Sequence, residues 1–184
     1  LAAARNDPEA SMQARAAGIT ADSLSARVDY RRSELTHWMF GASRFRYDDG
    51  NHRELFSTAL EQRLLTRPRW LVDGLASAYT SRGSRADAPY FNPSRDRMVE
   101  IGLRIDQQLW RHYERHFRHR LTVSLGDYWQ DGFGSALVPS VSYQHEWQLG
   151  PGRVLEYGVR WSRPVYDGHR ERHLGFEAAL RWGD

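Results

Sequence analysis

The sequence predicts an all-β fold: an antiparallel meander of about nine long strands, part of a larger transmembrane β-barrel. Three observations carry this. Apolar and polar residues alternate with period two in segment after segment, from Ser23 to Trp182. The links between segments alternate in length, short then long. The tryptophans sit near the ends of segments and not in their middles, as indoles do at a membrane interface.

Residues 1–22 are Ala-rich and polar. They read as a loop, with a short helical turn opened by Asp7-Pro8-Glu9, and residues 23–184 read as the partial barrel. In the first strand Leu24, Ala26, Val28 and Tyr30 oppose Ser25, Arg27, Asp29 and Arg31; a turn at Arg32–Glu34 follows. The second strand, about Thr36–Tyr47, puts Trp38, Phe40 and Ala42 on one face, and Asp48-Asp49-Gly50-Asn51 is a hairpin signal. Phe56 to Gln62 and Trp70 to Ala78 form the next pair around Thr66-Arg67-Pro68. A long loop, Thr80–Arg97, precedes Val99–Leu109, and Arg111–His116 reads as a polar turn before Phe117–Trp129. In Leu137–Trp147, Pro139 lacks a ladder donor, and the expectation there is a local disturbance or bulge. Leu149-Gly150-Pro151-Gly152 leads into the terminal hairpin. There Leu155, Tyr157, Val159 and Trp161 share one face with Leu174, Phe176, Ala178, Leu180 and Trp182, and the link contains the turn dipeptide Asp167-Gly168.

Period two by itself does not say whether the apolar face meets a soluble core or lipid. Link lengths and tryptophans decide for lipid. With the last strand ending in the periplasm, the links at 48–53, 80–97, 130–135 and 164–172 lie outside and are the longer set. Trp38, Trp70, Trp110, Trp147 and Trp182 then fall at periplasmic strand ends, and Trp129 and Trp161 at outer ends. Trp110 is the exception, because regular alternation turns it inward.

The chain has 184 residues, a net charge of +3 and no cysteine, which excludes disulfides and thiolate metal sites. Its mean hydropathy of −0.72 does not exclude a membrane, because a barrel strand shows lipid only every second side chain. No apolar run of about eighteen residues exists for a transmembrane helix. The chain starts Leu1-Ala2-Ala3, and the expectation is a segment of a longer precursor. Every cationic side chain is Arg. That reads either as coding bias or as guanidinium forks for the phosphates of lipopolysaccharide or nucleic acid.

Several phrases recur in a recognisable order: GITADSLSARVDYRRSE, YDDGNHRELF, PYFNPSRD at Pro89–Asp96, RHYERHFRHRL at Arg111–Leu121 and RPVYDGHRERHL at Arg163–Leu174. Together they resemble the C-terminal barrel of the outer-membrane porins that export poly-β-1,6-N-acetyl-D-glucosamine, a biofilm polysaccharide. The resemblance covers the chain from about Gly18 onward. It implies a sixteen-strand barrel, of which this is the second half, with missing upstream strands and a periplasmic repeat domain as partners. It also implies a Gram-negative outer-membrane location, contact with outer-membrane lipid and lipopolysaccharide, exopolysaccharide as cargo, and no nucleic acid.

The inward-facing acids by this phasing are Asp29, Glu61, Asp73, Glu100, Asp106, Glu146, Glu156 and Glu177. Asp73, Glu100, Asp106, Glu146, Glu156 and Glu177 are the candidate substrate path, since a partly de-N-acetylated polymer carries ammonium groups that acidic rings attract. The competing reading is structural, because Arg27, Arg63, Arg104, Arg118, Arg120, Arg160 and Arg181 face the same way and can pair with those acids. Tyr90 and Phe91 are the candidate pore-mouth aromatics: they stack on sugar rings or anchor the long loop. His112, His116 and His119 do not have HExxH spacing, Asp48–Asn51 lacks the EF-hand series, and no nucleophile triad has motif support, so neither cofactor, metal nor catalytic residue is expected. The remaining alternatives are an outer-membrane barrel enzyme and a soluble Arg- and aromatic-rich β protein that binds nucleic acid.

Overall fold

Each alternating segment pairs with the next in chain order. The structure, a computed structural model, describes residues 2–4, 18–85, 88 and 90–183. Its strands are β1 (Ala2–Ala4), β2 (Ala21–Ser33), β3 (Thr36–Tyr47), β4 (His52–Arg67), β5 (Trp70–Gly83), β6 (Arg95–His112), β7 (Arg115–Gln130), β8 (Gly134–Gly150), β9 (Arg153–Ser162), β10 (Val165–Tyr166), β11 (His169–Arg170) and β12 (His173–Trp182). No helix occurs among the described residues. One ten-stranded sheet runs in the order β1 to β9 and then β12, with β10–β11 a separate two-stranded hairpin. All pairs are antiparallel. The expected nine strands are β2 to β9 and β12; Ala2–Ala4 adds a short edge against Ser23–Ser25. The helical turn expected at Asp7–Glu9 lies outside the described residues.

The link asymmetry is sharper than the sequence suggested. One end of the sheet carries the two-residue turns Glu34-Leu35, Pro68-Arg69, Tyr113-Glu114 and Pro151-Gly152. The other end carries 48–51, 84–94, 131–133 and 163–172. The strands run further than their alternation, so the loop read as 80–97 contracts to 84–94 and the turn read at 111–116 to Tyr113-Glu114. Asp167 and Gly168 both have positive φ, 48° and 75°, which a two-residue type I′ hairpin demands at both central positions; this closes β10–β11.

The two faces of the sheet differ in kind. Leu103, Val123, Val141, Trp161 and Leu174 form one continuous cross-strand row. Val28, Phe40, Thr58, Ala78 and Val99 form another on the same face. That face is open: Ile101 is 65% exposed and Phe176 is 71% exposed. The opposite face is polar yet better covered, with Asp73 and Asp96 each 2% exposed. A soluble sandwich would bury the apolar face. Exposed Leu, Ile, Val and Phe on eight of the nine long strands far exceed the apolar patch a monomer leaves in water, and lipid is the environment that covers them.

Among the described residues a register shift between Arg31 and Ser33 marks one β-bulge, and three more break the period further along the chain. One lies at Leu64, between Arg63 and Leu65, and puts Leu64 over Gly74 on the apolar face, its Cδ1 3.2 Å from where a Cβ at Gly74 would stand. A second, at Leu109, falls between the pairs Gln108–Arg118 and Trp110–Phe117, and the third lies between Gln148 and Gly150. The extra residue at Leu109 reverses the phase, so Trp110 is outward, on the face of Phe117 and Trp147, and not inward. Phe117 and Trp147 stack with centroids 4.1 Å apart, so the aromatic girdle includes the residue that had not fitted. Pro139, by contrast, causes no bulge: it pairs in register with Leu125, and its carbonyl accepts from Arg163 N at 3.1 Å. The donor that proline lacks falls just past the last β8–β9 pair, Ser140–Ser162, so the Pro139–Arg163 contact keeps only its one bond and the ladder ends there.

Candidate functional site

The polar face is a ladder of guanidinium–carboxylate pairs. Alternation sends long charged side chains from neighbouring strands to the same side, where cross-strand spacing lets them meet. Arg104, from β6, reaches Asp73 on β5 at 2.9 Å and Glu61 on β4. Arg63 also bonds Asp73. Arg120 holds Asp106 at 2.8 Å, and Arg118 holds Glu146 at 2.7 Å. Arg160 pairs with Glu177 at 3.7 Å, Arg181 bonds Glu156, and Arg27 meets Asp29 at 2.8 Å. Every arginine read as inward is therefore matched to a carboxylate. Paired charges of this kind tie the wall together and cancel most of each other's field at a distance.

Of the six candidate substrate-path acids, Asp73, Asp106, Glu146, Glu156 and Glu177 are engaged by Arg. Glu100 differs. Its carboxylate accepts from Ser124 Oγ, which is shared with Ser140, and no cation pairs with it among the described residues. Glu146 and Glu156 stand directly opposite across β8–β9, each with its own arginine. With Asp106, Gln144, Gly158 and Glu177 they line a groove of about 170 Å³ on this face.

At the long-loop end, two loops fold back over the polar face. Tyr90 is 6% exposed; it packs on Tyr47 with centroids 5.1 Å apart and beside Ala21. Fully buried Asn51 donates to Tyr90 Oη at 2.8 Å and accepts from Ser84 Oγ and Arg85 N, which ties loop 84–94 to the β3–β4 turn. Burial pushes the Tyr90 phenol up to about 12. In the second loop Val165 of β10 packs on Tyr128 and Val138, whose side chains point to the polar face. Gln130 fastens that hairpin by donating to Asp167 Oδ1 at 2.5 Å and accepting from Asp167 N at 3.0 Å. The loops meet where Phe91 makes an edge contact with Tyr166, centroids 5.1 Å apart. Tyr90 is thus spent as an anchor, and Phe91 with Tyr166 forms the junction.

Asp96 is the hub beneath this junction. It accepts from Ser81, from Arg53 at 3.3 Å, from Tyr79 at 3.2 Å and from Tyr128 at 3.5 Å. Sequence reasoning missed Asp96, Asn51 and Gln130 because all three lay in segments read as loops. The available signals were the phrases YDDGNHRELF, which contains Asn51, and PYFNPSRD, which ends in Asp96; they singled out the segments without assigning a role. The histidines do not converge: His116 faces Glu146 on the polar side at 3.4 Å, whereas His119 bonds Gln107 and Tyr143 on the apolar side, at 2.7 Å each. Among the described residues no group of metal-ligating side chains gathers.

The family described as PgaA membrane beta barrel domain matches residues 1–182. Two poly-beta-1,6-N-acetyl-D-glucosamine export proteins, from Escherichia coli strain K12 and from Escherichia coli O157:H7, are each 27% identical to this chain over 162 residues. The alignment takes in 87% of this chain but 20% of either protein, so the chain spans about a fifth of those relatives. A solved structure titled bacterial polysaccharide outer membrane secretin superposes with a TM-score of 0.93 at 25% identity, over 97% of this chain and 61% of that one.

Proposed function

The chain belongs to the PgaA membrane beta barrel domain family, an outer-membrane β-barrel family, and from that premise we propose that it forms part of the wall of a channel exporting poly-β-1,6-N-acetyl-D-glucosamine, without chemistry. The observation that carries this reading is the inversion of the sheet: lipid-type residues outside, a matched charge ladder inside. A conducting path must hold its cargo weakly at many places. Paired arginines and carboxylates offer hydrogen bonds to sugar hydroxyls and amides without a strong net field. Glu100, the acid without a cation, is the place on this wall for an ammonium group of a de-N-acetylated residue. Among the described residues the sheet has two unpaired edges, β12 on one side and β2 beyond its short contact with β1 on the other. In lipid each unsatisfied backbone group costs several kcal/mol, so further strands of the longer protein complete the barrel, with residues 23–184 as its second half.

Two experiments test this. Export of polymer by the full-length protein should survive Glu100→Asp and fall with Glu100→Arg, while assembly, read by heat-modifiable gel migration, stays normal. Export unaffected by Glu100→Arg removes Glu100 from the path. In planar bilayers the 184-residue chain should give no uniform openings, and a version with the upstream strands restored should. Stable uniform conductance from the short chain refutes the half-barrel reading. Hydrolysis of lipid or peptide substrates by the purified full-length protein would favour the enzyme reading instead.

A further inference from the structure

Three arginines of the outward face are used differently from those of the polar face. At the long-loop end of β5 and β6, Arg82 stands directly opposite Arg95, and Arg97 follows two residues along on the same face. All three are exposed. On the polar face each arginine read as inward is engaged by a carboxylate, yet none of these three has a carboxylate partner among the described residues. Two carboxylates lie nearby on this face: Glu54, the cross-strand neighbour of Arg82, pairs with Arg44 at 3.9 Å, and Asp127 stands opposite Val99, two residues from Trp129, with no ion pair among the described residues. Arg97 lies over the Trp129 ring, 4.9 Å from its centroid, so its guanidinium plane is held at the height of the outer aromatic girdle. Immediately toward the sheet centre, the same face presents Ala78, Val99 and Ile101, the last two largely exposed.

Like charges placed directly opposite in a ladder repel, and an anion between them removes the penalty. Three guanidinium forks, each able to grip two oxygens, fit a phosphate better than they fit a carboxylate or a halide. The position supplies the source: the groups lie outside the sheet, above an apolar band, at the end carrying the long loops, which is the outer leaflet.

We propose that Arg82, Arg95 and Arg97 form a binding site for a phosphate group of a lipopolysaccharide headgroup, with the acyl chains of the same lipid laid against Val99 and Ile101. The site faces away from the inner wall, so it anchors and orients the barrel in the outer leaflet and does not touch the exported polymer. It rests on the membrane reading of the outward face and is independent of which polymer is exported.

The test uses the full-length protein in detergent, titrated with lipopolysaccharide and read by native mass spectrometry. Wild type should retain lipopolysaccharide through the detergent exchange and lose retention, about tenfold or more, when the lipid is enzymatically dephosphorylated. Arg82→Gln/Arg95→Gln/Arg97→Gln should lose retention to the same degree. Arg67→Gln/Arg115→Gln/Arg153→Gln removes the same charge from the short-turn end and should retain it. Arg82→Lys/Arg95→Lys/Arg97→Lys, which keeps charge and assembly but not the forks, should fall between. Equal retention of phosphorylated and dephosphorylated lipid by wild type overturns the proposal without any variant. So does equal loss in the two glutamine variants, which would make net charge the cause, or full competition by inorganic phosphate at the lipid's own concentration, which would make the site one for free anion.

Discussion

Val123 and Ser124 are neighbours on β7 with opposite fates, and they separate the two faces in one experiment. Val123 sits in the row Leu103–Val123–Val141–Trp161, with apolar neighbours on both sides. Ser124 points to the polar face, between Glu100 and Ser140. An arginine at a lipid-facing midplane position costs about 2–4 kcal/mol. Converted at about 1.4 kcal/mol per decade, Val123→Arg should lower the folding equilibrium constant by roughly thirty- to several-hundred-fold. Ser124→Arg loses the hydroxyl bonds but brings a guanidinium to Glu100, the one candidate path acid without a cation, and should cost under about 1 kcal/mol. The assay is urea unfolding of the full-length protein in lipid vesicles, comparing midpoints at unchanged slope. Equal costs at the two sites, or a larger cost at Ser124, would refute the assignment of faces.

Three further outcomes follow from the same geometry. A protein keeping Trp110 as its sole tryptophan should be quenched by bromine-labelled lipid, because the bulge at Leu109 sets that indole beside Phe117 on the outer face; an unquenched indole would return it to the lumen. A cysteine at exposed Ser84 should react with an impermeant thiol reagent on intact cells, and reaction only after the outer membrane is broken would invert the topology. The Tyr90 phenol, raised from 10.0 to about 12 by burial, keeps its proton where an unfolded chain begins to lose it. Its loop anchor is therefore undiminished below pH about 10 and weakens as pH climbs through about 12. In ultraviolet difference titration, Tyr90→Phe should remove a late-titrating phenol, and loss of one titrating near 10 would contradict the burial of this ring.

The sequence alone determined the strands, their order, the identity of the two faces and which end bears the longer links. Those features need only nearest-neighbour information: alternation names a strand and its faces, and Asp167-Gly168 or Pro151-Gly152 names a turn. The inward arginines and acids were legible for the same reason, since phase put both kinds on one side. What each acid holds was not legible. Arg104 reaches Glu61 two strands away, and Glu100 is left with Ser124, because partner choice depends on register between strands far apart in the chain. The bulges at Leu64 and Leu109 escaped as well: one inserted residue reverses phase without any residue type to announce it, so Trp110 read as inward until its pairing with Phe117 was known. The outer mouth was decided entirely by tertiary structure. Asn51, Asp96 and Gln130 matter because loops 84–94 and 163–172 fold over strands contributed from elsewhere, and a polar residue at the end of a strand has no local pattern to mark it as buried.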